Sequence, residues 1–312
     1  MRHTRDDLRI MQGWSLERKI QISQTRILEW YLKHDGKVFV SFSGGKDSTV
    51  LLDLARRVMP DIPAVYVDTG LEYPELRFFV RTKENVTWLR PKYPFFQIIE
   101  KYGYPVISKE VSNVIYGARK GQPYRLARLN GTLLDKNGNK SIFNCENYRY
   151  LLDAPFGISD KCCYHMKKAP IHKFERQTGR FAILGTMACE SKLRLQSWLK
   201  AGCNGFESSR PISQPLAFWL EQDILQYLKY TSLSYAPIYG EIVETERKKG
   251  SPILTTTGVA RSGCMFCMYG IHLDPEPNRF QRMAVTHPKQ HDYCIHSLGC
   301  GKVMDFIGVP YR

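Results

Sequence analysis

The stretch best suited to hold a phosphate is Ser43-Gly44-Gly45-Lys46-Asp47-Ser48. Glycines let the backbone approach an anion, successive N–H groups can point at it, and a helix N-terminus adds partial positive charge. Lys46 can neutralise phosphate, Asp47 can hold magnesium, and the Ser43 and Ser48 hydroxyls can donate hydrogen bonds. The spacing is not that of a Walker loop, which needs GxxxxGK followed by Ser or Thr. A glycine turn with a capping serine is the plainer reading, and the complete string between strand and helix argues against it. Cysteines form the second group. Cys162 and Cys163 are adjacent, and Cys264 and Cys267 frame a C-x-x-C turn. Such a turn brings two thiolates to one metal or cluster, a geometry shared by zinc and redox sites. Adjacent cysteines suit the separate iron corners of a cluster better than one zinc ion. Lys161, Lys167 and Lys168 stand near the first pair and can balance its negative charge.

These groups need elements to place them. KVFVSF, from Lys37 to Phe42, is a run of β-formers that stops at the glycine turn, and STVLLDLARRVM beyond it has helical spacing. A second strand, Ala64 to Asp68, leads into a helical stretch from about Pro74 to Leu89. Strand, helix, strand, helix in this order predicts a right-handed βαβ unit in a parallel sheet. PFFQIIE around Phe96 and FAILG, Phe181 to Gly185, are further strand candidates. An amphipathic helix is expected from Leu16 to Leu32 and another from Phe218 to Tyr230. Between residues 121 and 155 the periodicity fails, and Asn130-Gly131 and Asn137-Gly138 signal an inserted hairpin or loop. The resulting division is an N-terminal helical segment (1–35), a nucleotide-binding α/β domain (36–235, with the insertion) and a C-terminal cysteine-bearing segment (236–312).

The chain has 312 residues, 43% hydrophobic and 24% charged, which excludes a disordered or fibrous protein. No apolar run approaches the roughly 18 residues of a membrane span. The N-terminus has no apolar core of a secretory signal, so a cytoplasmic location is expected. The net charge of +15 favours anionic partners, from nucleotides to nucleic acid. Nine cysteines, an odd number, argue against a disulfide framework and for metal, cluster or redox chemistry.

SGGKDS resembles the pyrophosphate-binding loop of the ATP pyrophosphatase (PP-loop) superfamily, and YVDTGLEYPE, Tyr66 to Glu75, resembles its sulfate-assimilation branch. That branch includes phosphoadenosine phosphosulfate (PAPS) reductases. The resemblance implies a doubly wound, mostly parallel sheet of the adenine nucleotide alpha hydrolase type. It places Asp68, Thr69 and Gly70 in the nucleotide pocket; capping a helix is the alternative role for Asp68. CCYHMKKAPIHKF and the later C-x-x-C resemble the cluster pattern of adenosine phosphosulfate (APS) reductases. A 4Fe-4S cluster on Cys162, Cys163, Cys264 and Cys267 follows as the first expectation, with a four-cysteine zinc site second and unligated thiols third. Gly185 to Arg194 parallels the reductases' G-x-R-x-x-Q-S-x-x-R, with Met187 in place of Arg and Glu190 in place of Gln. Arg194 is then a partner for phosphate or sulfate, and its guanidinium fork suits a tetrahedral oxyanion. Pro215 to Tyr239 is similar to a further family segment, in which Trp219 and Ile224 read as core.

Two departures shape the functional expectation. Reductases of this family usually carry a degenerate phosphate loop, whereas this one is intact and favours Mg-ATP, adenylation and pyrophosphate release. Their terminal nucleophile lies in an E-C-G-x-H setting, but Cys300 here has neither the Glu nor the His. Cys145, Cys189, Cys203 and Cys294 have no partner at informative spacing and read as packing. His272 and His287, with Arg261, Arg279 and Arg282, lie close to the C-x-x-C in sequence. The expected function is an adenylating sulfurtransferase with ATP, Mg2+ and a 4Fe-4S cluster, using a sulfur donor or thiol reductant and a possible nucleic-acid acceptor. A thioredoxin-coupled APS or PAPS reductase is the alternative enzyme. A non-enzymatic sensor or nucleic-acid-binding protein is the third class, which lacks the aromatic–basic interleaving of an RNA-binding module.

Overall fold

Val38, Phe39 and Val40 form a strand whose residues are buried on both faces, as expected of a central parallel strand. The computed structural model describes residues 3–246, 250 and 252–312. It places the Val38–Ser41 strand inside a six-stranded sheet. Across that sheet the order is Val86–Leu89, Ala64–Val67, Val38–Ser41, Phe181–Leu184, Ile212–Ser213 and Asn204–Gly205. All neighbours are parallel except the last pair. The chain thus has the expected α/β fold with a mostly parallel sheet. From the Val38–Ser41 strand the chain first moves to one side, then resumes on the other at Phe181–Leu184. Right-handed crossovers put the helices of the two halves on opposite faces. The reversal makes the carboxyl ends of Val38–Ser41 and Phe181–Leu184 a topological switch point, the usual ligand position in such sheets.

The chain divides into two units. The first comprises residues 1–68, 72–90 and 170–263. Phe39, Val65, Ile171 and Ala182 form a buried cluster against the sheet, with Phe174 edge-on to Phe39 at 5.1 Å. The helix Lys46–Val58 buries Val50, Leu51, Leu54 and Ala55 at helical spacing. The expected N-terminal helix spans Leu16–Lys33, and a further one, Arg5–Gln12, begins at a Thr4/Asp7 capping box. Lys19 of the longer helix is buried and pairs with Asp223 at 2.7 Å, while Ser23 accepts the Trp219 indole N–H at 2.9 Å. Trp219 is core, as expected.

The second unit comprises residues 69–71, 91–169 and 264–312. Val106–Ile107 pairs in parallel with Met268–Tyr269, about 160 residues later, and this pairing binds its two long segments together. Helices Lys109–Ala118 and Pro123–Leu129 lie in the first segment, Arg279–Thr286 and Cys300–Phe306 in the second. Neither expected boundary, at 35 or 235, separates the units. The N-terminal helices and residues 236–263 belong to the first unit, and the cysteine-bearing tail shares the second with residues 91–169.

Three local expectations change. The helix from Pro74 stops at Arg81, Asn85 takes a left-handed φ of 48°, and Val86–Leu89 is a strand. The β-branched and aromatic residues VTW outweigh helical continuation there. Phe95–Tyr102 is a helix and not a strand, because Phe95, Ile98 and Ile99 bury one helical face while Phe96 points outward. Within 121–155 the chain forms the helix Pro123–Leu129, a narrow hairpin bridged at Leu134 and Lys140, and a 3-10 helix, Glu146–Asp153. Among the described residues no helix is long and apolar enough to cross a membrane.

Candidate functional site

The Ser43–Ser48 loop leaves the Val38–Ser41 strand and enters the Lys46–Val58 helix at this switch point. Gly44 holds φ at +74°, and a Cβ there would lie 2.6 Å from Val80 and 2.9 Å from Leu76. Only glycine meets both demands. Gly44→Ala is expected to destabilise the chain by roughly 1–3 kcal/mol; an unchanged denaturation midpoint would refute this account of the loop. Ser43 and Ser48 close the turn, with their hydroxyls 3.0 Å apart and the Ser43 N–H donating to Ser48 Oγ at 3.2 Å. Gly185 follows the neighbouring strand so closely that a Cβ would lie 3.2 Å from the Asp47 carbonyl oxygen.

Asp47 is the unusual group. Its Oδ1 is buried and has no hydrogen-bond partner among the described residues. Burial raises the carboxyl above the ordinary range; Lys46 pulls it down, Glu221 pushes it up, and Arg261 and Arg194 pull it down again. A buried carboxylate with an unsatisfied oxygen fits a hard cation such as Mg2+.

Lys46 is placed differently from the sequence expectation. Its Nζ donates to the Ala260 carbonyl at 2.8 Å, lies 3.1 Å from Glu221 Oε1 and sits over the Tyr239 ring. Its backbone N–H donates to Tyr239 Oη at 3.3 Å, and that hydroxyl donates to Ser262 Oγ at 2.6 Å. The ammonium is therefore committed to protein partners and ties the loop to residues 260–262. Sequence reasoning missed Glu221, Tyr239 and Ser262, which are far away in the chain and carry no motif.

Asp68 is buried and ion-paired with Arg77 at 2.8 Å. Thr69 and Gly70 fall in the second unit, where Thr69 Oγ1 accepts the Leu71 N–H at 3.2 Å and Gly70 has a positive φ. Glu190 forms an ion pair with Arg194 and accepts the Met187 N–H at 2.9 Å. Arg194 is partly buried; burial lowers its pKa, and the nearby Arg261 lowers it further. Cys189, expected to be packing, is exposed instead and shares the electrostatic surroundings of Asp47, Glu221 and Arg261.

The thiol site lies wholly in the second unit. Cys162 and Cys163 immediately precede a single π turn, Tyr164–Lys168. The Cys264–Cys267 turn is closed by the Cys267 N–H donating to the Cys264 carbonyl at 3.1 Å. Arg279 steadies it by donating to the Cys267 and Tyr269 carbonyls at 3.3 and 3.2 Å while gripping Asp274 with two bonds. A hydrogen bond with Cys162 lowers the Cys163 thiol to about 6, helped by Lys109, Lys167 and Lys168. The same bond, then burial and the charges of Cys163, Cys264 and Cys267, push Cys162 up. Burial takes Cys267 to about 11. Lys161, expected to balance the thiolates, lies over the Tyr116 ring instead.

All four expected ligands are thus within electrostatic reach of one another. Among the described residues, however, no three His, Cys, Asp or Glu side chains are grouped to hold one metal ion. A zinc ion needs each thiolate about 2.3 Å from one centre. An all-sulfur donor set with Lys109, Lys167 and Lys168 close to Cys163 has the donor chemistry of an iron–sulfur cluster. Neither histidine joins it: His272 packs edge-on to Tyr148, and His287 Nδ1 lies 2.8 Å from the Thr286 hydroxyl. Arg282 is turned to the Pro277 carbonyl.

Cys300 is fully buried at a glycine turn, and its thiol hydrogen-bonds that of Cys294, also fully buried. This bond and burial push the Cys294 thiol up. Full burial of Cys294 is what packing implies. Cys203 is raised to about 11 by burial, as packing implies.

Residues 37–95 match the phosphoadenosine phosphosulfate reductase domain family. An adenosine 5'-phosphosulfate reductase of Staphylococcus epidermidis is 24% identical over 221 residues, which is 69% of this chain and 70% of the relative. A phosphoadenosine 5'-phosphosulfate reductase of Synechococcus sp. is 24% identical over 219 residues, 70% of this chain and 75% of the relative. Among solved structures, a phosphate complex of a PAPS reductase from Candida auris aligns with a TM-score of 0.40 and 13% identity, over 76% of this chain and 91% of that one.

Proposed function

We propose that this chain is an enzyme related to the PAPS reductases that uses ATP itself, adenylating an acceptor and then delivering sulfur to it. The intact Ser43–Ser48 loop at the sheet's switch point carries this reading, because it presents glycine backbone, helix N-terminus and an unsatisfied Asp47 oxygen together. The acceptor oxygen attacks the α-phosphorus of ATP, the α–β anhydride bond breaks, and pyrophosphate leaves. Sulfide-level sulfur from the donor then attacks the activated carbon, the C–S bond forming as the C–O bond breaks and AMP leaves. Asp47 would hold Mg2+, and the loop backbone with Arg194 and Arg261 would carry the phosphates, Arg194 by exchanging its Glu190 contact for them. Cys162, Cys163, Cys264 and Cys267 would hold a 4Fe-4S cluster, which supplies a position for sulfur on iron when bound. Arg279 acts as a positioning residue, through the carbonyls of the Cys264–Cys267 turn.

The names of the relatives favour a second reading, a thiol-coupled APS or PAPS reductase. That chemistry needs an accessible thiolate to attack the sulfonyl sulfur and be released by a second thiol. Cys300, buried and bonded to Cys294, is poorly placed for it. Anaerobic protein should release pyrophosphate from ATP and should release no sulfite from APS or PAPS. Cys300→Ser should retain pyrophosphate release within about twofold, since it keeps a hydrogen-bonding group of similar size. An S-sulfonate on Cys300 after incubation with APS or PAPS, detected by mass spectrometry and removed by thioredoxin, would install the reductase reading instead.

A further inference from the structure

The excess positive charge is concentrated. Residues 119–149 hold seven Lys and Arg against two Asp and Glu, so about a tenth of the chain carries a third of the net +15. These residues build one module of the second unit, the helix Pro123–Leu129 packed on the hairpin bridged at Leu134 and Lys140. The Cys145 N–H donates to the Arg128 carbonyl and the Thr132 N–H to that of Ala127, both at 2.9 Å. Two of the arginines hold the module together. Arg128 is buried, donates to the Phe143 carbonyl at 2.6 Å and pairs with Glu110. Arg119 donates to the carbonyls of Leu151, Leu152, Ala154 and Phe156.

The remaining groups turn outward and alternate aromatic with basic. Tyr124 is 53% exposed with the Arg125 guanidinium 5.5 Å from its ring, and Phe143 is 55% exposed on the hairpin. Lys120 lies 4.3 Å from the Tyr116 ring, and Lys136 is exposed at the hairpin end. This is the interleaving that sequence reasoning did not find, because the stretch reads as a turn-rich loop until the helix and hairpin bring its halves together. Exposed ring faces take unstacked bases, and cations beside them take the phosphates that join those bases. A duplex would satisfy the cations but leave the rings without a base to stack on.

We propose that this module binds a single-stranded polynucleotide. The site requires neither ATP nor a cluster, so its failure and that of the reaction proposed above are separable. The test is fluorescence anisotropy of the full chain with a labelled, unstructured 20-mer, made as RNA and as DNA, across a salt series. Both single strands should bind at low salt, and engagement of three or four phosphates gives log K against log salt a slope of about −2 to −3. The RNA and DNA arms identify which polymer is preferred. Tyr124→Ala and Phe143→Ala should each weaken binding about 5- to 100-fold, the range of a lost base stack. Phe143→Trp should restore it, with unchanged melting temperature as the folding control. Lys120→Glu with Lys136→Glu should flatten the slope. Four results would overturn the proposal. These are no binding at low salt, equal binding of duplex, wild-type affinity in both aromatic variants, or a self-association abolished by those variants while oligonucleotide affinity stays unchanged.

Discussion

Asp47→Asn should release pyrophosphate from ATP at least about 100-fold more slowly than wild type, the scale set by losing one electrostatic group aimed at a reacting phosphate. The substitution is nearly isosteric, so the Lys46–Val58 helix and its buried face should be kept. What goes is the charge on a carboxylate whose Oδ1 has no hydrogen-bond partner among the described residues and whose burial already disfavours ionisation. The raised pKa gives a second readout. Wild-type turnover should fall with decreasing pH at a higher pH than an ordinary aspartate would produce, because the protonated carboxyl holds a divalent cation weakly. Circular dichroism and melting should remain like wild type while the magnesium dependence disappears. Unimpaired pyrophosphate release by Asp47→Asn would remove this loop from the chemistry. Lys46→Ala asks a different question, since it breaks the contacts with Glu221 and Ala260 and so frees residues 260–262.

Replacing Cys163, Cys264 or Cys267 by Ala should take the protein from brown, with near-stoichiometric iron and acid-labile sulfide, to colourless. The Cys163 thiol is lowered by its hydrogen bond with Cys162 and by Lys109, Lys167 and Lys168, which favours the thiolate that binds metal. Cys203→Ala, at a buried site in the other unit, should keep the colour. Iron and sulfide analysis of anaerobically purified protein decides the matter. A colourless wild type holding one tightly bound zinc would show that the thiols serve a single ion.

The parts legible in the sequence were those set by local chemistry. The Val38–Ser41 strand and the glycine turn after it follow from β-branched residues meeting a left-handed position that only glycine fills. The thiol pairs announce themselves by spacing. What was hidden depends on distant partners. Nothing beside Lys46 foretells that its ammonium will meet Glu221 and the Ala260 carbonyl, contacts that tie the loop to residues far along the chain. The unit boundary was hidden for the same reason, since a two-residue parallel pairing between Val106–Ile107 and Met268–Tyr269 has no periodicity to read. In Val86–Leu89 and Phe95–Tyr102 the difficulty is one of phase: each run is too short to show in sequence which face it buries.

The order of strands in the sheet has a consequence for how the molecule is made. Val38–Ser41 emerges early from the ribosome and finds Ala64–Val67 on one side soon afterwards, but its other neighbour, Phe181–Leu184, is about 140 residues further on. At roughly 5–20 residues per second, one edge of a strand with three buried apolar residues stays open for about 7–28 seconds of synthesis. Such an edge is a template for the wrong partner. Residues 91–169 are translated during that interval and belong to the other unit, so they add no strand to close it. The nascent chain must therefore pass through a stage in which half a sheet waits, and whatever shields that edge in the cell shapes the yield of folded protein.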